Sequence, residues 1–374
     1  MRHAKIFFAP LIFTAALILL SPVRPAQAAY HFANFKGRPP IHQFGGASAA
    51  PAGLSPAQIK RAYNLPANGG QGIIAIVGAY DDKNIEKDLA VFDKQFNLPP
   101  CTTANGCFTK HVIGKAKSDS GWAMETSLDV EWAHAIAPQA KILLVEATTP
   151  SGQNLLNAID YAVKQSGVVS VSMSWGGAEF PEEVSLDSHF QTVNGTIAFF
   201  ASSGDNGAGA SWPAASPNVI GVGGTHVNFS ASGVCSSETA WTGSGGGVSA
   251  YEIEPAFQKN YSIAKAQGHR AIPDVSYNAD PSSGFAIYKS AGSSKKGWYV
   301  VGGTSAGAPQ WAAIKALGLS ADNFKFYSDK NSAANGNFFR DIKSGANGDC
   351  GFYCQARGRY DYVTGLGSPL TVNF

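Results

Sequence analysis

From Ser55 onward, short apolar runs alternate with helix-length segments, and this alternation constrains the fold more than any other feature of the chain. Ile73-Ile74-Ala75-Ile76-Val77 is an unbroken apolar run of the buried-strand kind, and a polar helical pattern follows over about 84–96. A helix reads over 56–63, and another over 122–136, ended by Pro138. Beyond it, strand-like 141–146, helix-like 154–164, strand-like 168–175, helix-like 181–191 and strand-like 196–202 and 219–223 follow in turn. Near-continuous apolar strands separated by helices are the pattern of a mostly parallel, doubly wound sheet covered on both faces. The expected class is α/β, in one domain over 55–374, with no internal repeat.

The start of the chain reads differently. Arg2, His3 and Lys5 precede an apolar run from Ile6 to Leu20, and Ala26-Gln27-Ala28 supplies small residues for cleavage. That order predicts a signal peptide over 1–28 and an exported protein, extracellular or periplasmic. The run is too short for a comfortable membrane span, so no membrane partner is expected after its removal. Residues 29–54, rich in Ala, Gly and Pro, read as an arm or linker. Only 14% of the chain is charged, against about 25% in an average soluble protein. With a net charge of +2, nothing points to nucleic acid, and a compact monomer with many tight loops is expected.

Export permits disulfides. Cys101 and Cys107 bracket a turn-rich loop, and Cys350 and Cys354 bracket Gly351-Phe352-Tyr353, so two local bridges with Cys235 free are expected. Sequence alone does not fix that connectivity. The spacings contain no CxxC pair and argue against zinc.

Two acids, Glu125 and Asp129, lie four residues apart in the 122–136 helix. At about 100° per residue, Leu128, Asp129, Trp132 and Ile136 all fall within about 60° of Glu125, while Glu131 and His134 point elsewhere. The ordinary reading of two helical acids is a solvated face with basic partners one turn away. No Lys or Arg occurs between Lys117 and Lys141, so that reading fails locally. Two buried acids side by side must have at least one raised pKa, because burial and mutual repulsion both disfavour charge.

Ser305 lies in Gly303-Thr304-Ser305-Ala306-Gly307-Ala308-Pro309, with small neighbours and a helix expected to follow. A G-x-S-x-G elbow of the α/β-hydrolase kind needs a histidine after the serine, and the last histidine is His269. No Asp-then-His pattern of a histidine-based subtilisin is present either. If Ser305 is a nucleophile, its base is a carboxylate. A third acid, Asp205, ends the 196–202 strand in Ser203-Gly204-Asp205-Asn206-Gly207, where open α/β sheets build sites. As Asp-Asn-Gly it is an ordinary turn; held protonated, it could donate to an oxyanion. The run Gly243-Ser244-Gly245-Gly246-Gly247 lacks the Lys of a phosphate loop and reads as a place of close backbone approach.

Together these residues resemble the sedolisin, or serine-carboxyl peptidase, family. The resemblance covers nearly all of 55–374. It rests on Glu125-x-x-x-Asp129 running into Ala135-Ile136-Ala137-Pro138, on Ser172-Met173-Ser174-Trp175-Gly176, on Ser203-Gly204-Asp205 and Gly303-Thr304-Ser305-Ala306, and on the closing Tyr360-Asp361-Tyr362 to Ser368-Pro369 segment. It implies a subtilisin-like fold and endopeptidase action on polypeptide substrates in acid. It implies Ser305 as nucleophile, Glu125 as base, Asp129 as its partner and Asp205 as oxyanion donor. It also implies one calcium ion, held by Asp341, Asp361 and the carbonyls of Ile342, Arg357 and Arg359.

The chain departs from that family in three respects. The 29–54 segment is too short for the family's long folded pro-segment, so the resemblance does not carry over that segment's part in folding and in holding back premature activity. Gly78 stands where many relatives carry an acid that supports the catalytic Glu, with Asp81 and Asp82 as the nearest substitutes. Arg357 and Arg359 stand where glycines are common, placing two cations beside the expected calcium. The first two favour an alternative, a catalytically silent secreted binding protein; the four retained site residues oppose it.

Overall fold

The computed structural model of the chain describes Met1 and residues 31–191, 195–230, 233–292, 295–318, 322–328 and 338–370. The signal-like stretch and its expected cleavage site lie outside the described residues. The framework runs β1 (His42–Ser48), α1 (Pro56–Ala62), β2 (Ile73–Ala79), α2 (Ile85–Phe96), β3 (Phe108–Val112), α3 (Ser120–Ile136), β4 (Lys141–Ala147), α4 (Gly152–Ala162) and β5 (Val168–Met173). Later elements that build the sheets and the site are the strands Ala198–Ser202, Val219–Phe229 and Cys235–Ala240, the strand Val275–Asn278, the hairpin Phe285–Lys289 and Gly297–Gly302, and the helix Gly307–Ala316.

Eight of these strands form one sheet among the described residues, in the order Cys235–Ala240, Val219–Phe229, Ala198–Ser202, β5, β2, β4, β3, with Val275–Asn278 also paired to Val219–Phe229. All its pairings are parallel except that of Cys235–Ala240. β3 and β4 lie on one side of β2, while β5 and the later strands lie on the other. The order therefore reverses beside β2 and opens a crevice at the carboxyl ends of the strands. A second, antiparallel sheet joins β1, Gly297–Gly302 and Phe285–Lys289.

The expected elements are present, with two differences. Residues 181–191 form a 3₁₀ segment, Glu183–Phe190, instead of an α-helix. Glu183 turns back to accept Phe180 N–H at 2.9 Å and Ser185 donates to the Glu182 carbonyl at 2.6 Å, local bonds that compete with a helical ladder. The strand expected at 219–223 runs on to Phe229 because Cys235–Ala240 pairs with its second half. Both local disulfides are present, Cys101–Cys107 and Cys350–Cys354, and Cys235 is free.

The central feature is α3. Asp119 caps it, its Oδ1 accepting the N–H groups of Gly121 at 2.9 Å and Trp122 at 3.0 Å. Every residue from Trp122 to Ile136 is buried, because β2, α2, Phe285–Lys289 and Gly307–Ala316 pack around it. Glu131 and His134 do point away from Glu125, yet they too lie inside. Glu131 Oε2 accepts Tyr288 N–H at 3.0 Å, and His134 Nε2 pairs with the Pro99 carbonyl at 2.8 Å.

Candidate active site

Ser305 sits in a single 3₁₀ turn, Thr304–Ala306, between the strand Gly297–Gly302 and the helix Gly307–Ala316. Gly303, just before it, has a φ of 123°. A Cβ there would lie 2.1 Å from the Pro40 carbonyl oxygen and 2.5 Å from Asp205 Oδ2, so only glycine fits.

The four expected residues come together. Glu125 and Asp129 reach the crevice from α3, and both are buried. Asp129 Oδ1 accepts the Ser174 hydroxyl at 2.6 Å, and that hydroxyl also approaches the Ser305 carbonyl at 3.2 Å. Ser305 Oγ in turn lies 3.5 Å from the Ser174 carbonyl. Neither Glu125 oxygen has a fully aligned hydrogen-bond partner, but the Ser305 hydroxyl and Asp129 both act on its charge. Catalytic contacts are often long before substrate binds.

Burial pushes the Glu125 carboxyl well above the usual carboxylate range, and the Asp129 charge pushes it further; the Ser305 hydroxyl works the other way. Asp129 is raised by burial, opposed by the bonds from Ser174 and Glu125. Two buried acids in contact share a proton rather than both ionise.

Asp205 approaches from beyond the strand Ala198–Ser202. Its Oδ1 accepts Thr304 N–H and Thr304 Oγ–H, both at 2.8 Å, which fixes the carboxyl beside the serine turn. Its Oδ2 has no aligned donor; His42 Nε2 lies 3.1 Å away and serves as a charge partner. Burial raises the Asp205 pKa, and His42 and Thr304 oppose the rise. A carboxyl with one oxygen fixed by main chain and the other directed into the site can donate to an oxyanion once protonated.

Sequence reasoning assigned no role to Ser174, Thr304 or His42. Ser174 carried a signal, being at a strand end inside a quoted motif. His42 carried none, since it lies in the arm. A Cβ added at Gly78 would meet the Trp122 ring at 3.7 Å, an ordinary contact distance. Asp81 and Asp82 do not replace the missing acid, because they belong to another cluster. Lys110 Nζ binds Asp81 at 2.7 Å and Glu146 at 2.9 Å, and Glu146 Oε1 accepts Asp82 N–H at 3.0 Å.

The residues expected to hold calcium also lie together. Asp341 accepts Arg359 N–H at 3.0 Å, Asp361 accepts Arg357 N–H at 3.1 Å, and Ile342 and Asp361 are buried. Both guanidinium groups are engaged with aromatic rings. That of Arg357 lies 3.9 Å from the Phe352 ring centroid and donates to the Phe352 carbonyl, and that of Arg359 lies 6.0 Å from the Tyr261 ring. Carboxylate oxygens suit a hard cation, and here both are taken up by donors of the chain: Asp361 also accepts Val363 N–H and Thr364 N–H at 2.8 Å and Thr364 Oγ–H at 2.9 Å. The one cluster of three metal-ligating side chains among the described residues, Cys101, Cys107 and His134, has both thiols in a disulfide.

A mostly parallel sheet with a serine turn and buried carboxylates at its carboxyl edge defines a subtilisin-like protein. Residues 111–333 match the subtilase family. Among curated proteins, kumamolisin of Bacillus sp. (strain MN-32) is 32% identical over 305 residues, covering 72% of this chain and 52% of that protein. Sedolisin of Pseudomonas sp. (strain 101) is 27% identical over 346 residues, covering 81% and 56%. The solved structure of Pseudomonas sedolisin, a serine-carboxyl proteinase complexed with two molecules of pseudo-iodotyrostatin, superposes with a TM-score of 0.70 at 26% identity, over 87% of this chain and 96% of that one. The chain belongs to the subtilases, and within them to the sedolisin family of serine peptidases. It spans about half the length of the curated relatives it matches.

Proposed function

We propose that this protein is an exported, acid-acting serine-carboxyl endopeptidase. The observation that carries the reading is the meeting of Ser305, Glu125, Asp129 and Asp205, drawn from three distant segments, around one serine turn. Ser305 Oγ attacks the peptide carbonyl and its proton passes to Glu125. Asp129, held by Ser174, shares the pair's proton and keeps Glu125 oriented. Protonated Asp205 donates to the developing oxyanion alongside Ser305 N–H. Glu125 then returns the proton to the leaving amine, and water hydrolyses the ester by the reverse relay.

A carboxylate base has an intrinsic pKa of about 4.3, against about 6.5 for imidazole, so it continues to work where histidine is protonated. Asp205 must be neutral to donate, which also requires acid. Asp341, Asp361 and the carbonyls of Ile342, Arg357 and Arg359 would hold one calcium ion, whose contribution is to stabilise the closing segment rather than take part in the chemistry. A catalytically silent relative is the competing reading, and the loss of an acid at Gly78 is the observation in its favour.

Hydrolysis of an unfolded protein from about pH 2 to pH 8, beside Ser305→Ala, tests the proposal. Ser305-dependent cleavage peaking in acid is expected. Cleavage that survives Ser305→Ala, or none from folded protein, would overturn it.

A further inference from the structure

His134 stands about two and a half turns beyond Glu125 along α3 and has no part in the serine relay. It is fully enclosed. Its Nε2 lies 2.8 Å from the Pro99 carbonyl. A carbonyl can only accept, so the proton sits on Nε2 and Nδ1 keeps its lone pair. Asp93 Oδ1 lies 3.5 Å from the same Nε2. Neither His134 Nδ1 nor Asp93 Oδ1 has a hydrogen-bond partner, although both are buried. An enclosed acceptor without a donor is costly, and a ligand that takes up the lone pair removes the cost.

These groups meet the loop that Cys101 and Cys107 close. One His134 ring nitrogen and both sulfurs lie within 4.8 Å of one another. Asp93 Oδ2 accepts Cys101 N–H at 3.2 Å, which ties that end of the loop to the same cluster. Cys101 is buried, while Cys107 is half-buried and opens a way in from solvent. Residues 103–106 between them are exposed, so sulfurs freed from each other can part without disturbing the core. Two Zn–S bonds of about 2.3 Å at a tetrahedral angle set the sulfurs about 3.8 Å apart. Two thiolates and an imidazole whose other nitrogen is anchored to a carbonyl form a donor set that suits zinc. Cysteine spacing does not show this, because the third donor comes from α3.

We propose that Cys101, Cys107 and His134 are a redox-gated metal site, closed as a disulfide and open to Zn²⁺ once that disulfide is reduced. Two molecules of an external thiol supply the two electrons and two protons that convert the disulfide to two cysteines, and leave as their own disulfide. Zn²⁺ then displaces the two thiol protons to solvent and takes the imidazole lone pair, with water in the fourth position. The metal thereby replaces the covalent link between the two ends of the loop and adds a tie to α3. The site is independent of the peptidase reading.

The test uses the full chain at neutral pH, reduced by a water-soluble phosphine, desalted without air, and titrated with Co²⁺ and then Zn²⁺. One equivalent of Co²⁺ with a thiolate-to-cobalt absorption band, displaced by Zn²⁺, is expected from the reduced chain and none from the oxidised one. Cys350→Ser with Cys354→Ser should leave the band intact, and Cys101→Ser with Cys107→Ser should abolish it. His134→Gln should weaken binding by about a hundredfold or more, beyond the usual effect of losing an outer partner. Alkylation mapped by peptide mass needs no variant: Zn²⁺ should slow labelling of Cys101 and Cys107 but not of Cys350 and Cys354. Equal uptake of metal by the oxidised chain overturns the inference, as does a band that survives Cys101→Ser with Cys107→Ser. Labelling of Cys101 and Cys107 in the reduced chain at the same rate with and without Zn²⁺ overturns it too.

Discussion

The Ser174 hydroxyl donates to Asp129 Oδ1 at 2.6 Å, while the Ser174 carbonyl lies 3.5 Å from Ser305 Oγ. One residue at the end of β5 thus touches the acid pair on α3 and the serine turn, and sets their spacing. Its hydroxyl favours the ionised form of Asp129. Ser174→Ala should strengthen the pair's hold on its proton and move the acid limb of the kcat/KM profile to higher pH. A shift of about one unit corresponds to about a tenfold loss on that limb. An unshifted profile in a folded, active variant would show that Ser174 only fills space.

Asp205 is fixed by Thr304 and directs Oδ2 into the site. Asp205→Asn keeps a donor but at the cost of a rearranged contact to Thr304 N–H. We expect kcat to fall by about 10²–10³, as on loss of an oxyanion donor, with KM little changed. Steady-state kinetics on a defined peptide reads the split, and near-normal kcat would remove Asp205 from the mechanism.

The interior holds many carboxyls far from the site. Burial raises Asp93 and Glu146 to about 7 and Glu252 to about 8, well above the ordinary carboxylate range. The folded state binds more protons than the unfolded one between those limits, so stability falls as pH rises. The contribution is intact below about pH 4 and is lost progressively up to about pH 8. His134 works oppositely: burial lowers it to about 4, so its stabilisation is lost as pH falls towards that value. The carboxyls outnumber it. Melting temperature followed by calorimetry should decline from about pH 5 to pH 8, and a rise over that range would contradict the assignment.

Chelation should lower the melting temperature, because an ion bound only by the native state stabilises it by mass action. Without a cation, burial holds Asp361 up at about 6. Asp361→Asn should therefore abolish the response to chelator at neutral pH. A wild-type melting temperature indifferent to chelator would sink the calcium assignment.

The sheet and helices were legible because strands buried on both faces leave unbroken apolar runs such as 73–77, and these register locally in the sequence. Glu125 and Asp129 were legible for a related reason: helical spacing places them on one face, and the absence of a cation within a turn marks them as unusual. The complete burial of α3 was not legible, since it depends on what packs around it. Glu131 and His134 look like ordinary polar positions yet are enclosed by α2 and the Phe285–Lys289 hairpin.

The sequence by itself determined the parallel α/β architecture, the acids and the serine, all of which follow from residue type and local spacing. Only the tertiary structure decided where the 31–54 segment lies. Its contacts with Pro150, Gly176, Gly302 and Ser305 are main-chain bonds spanning more than a hundred residues, which any extended chain can form. Composition cannot encode such a path, so a stretch that reads as a linker lies against the serine turn.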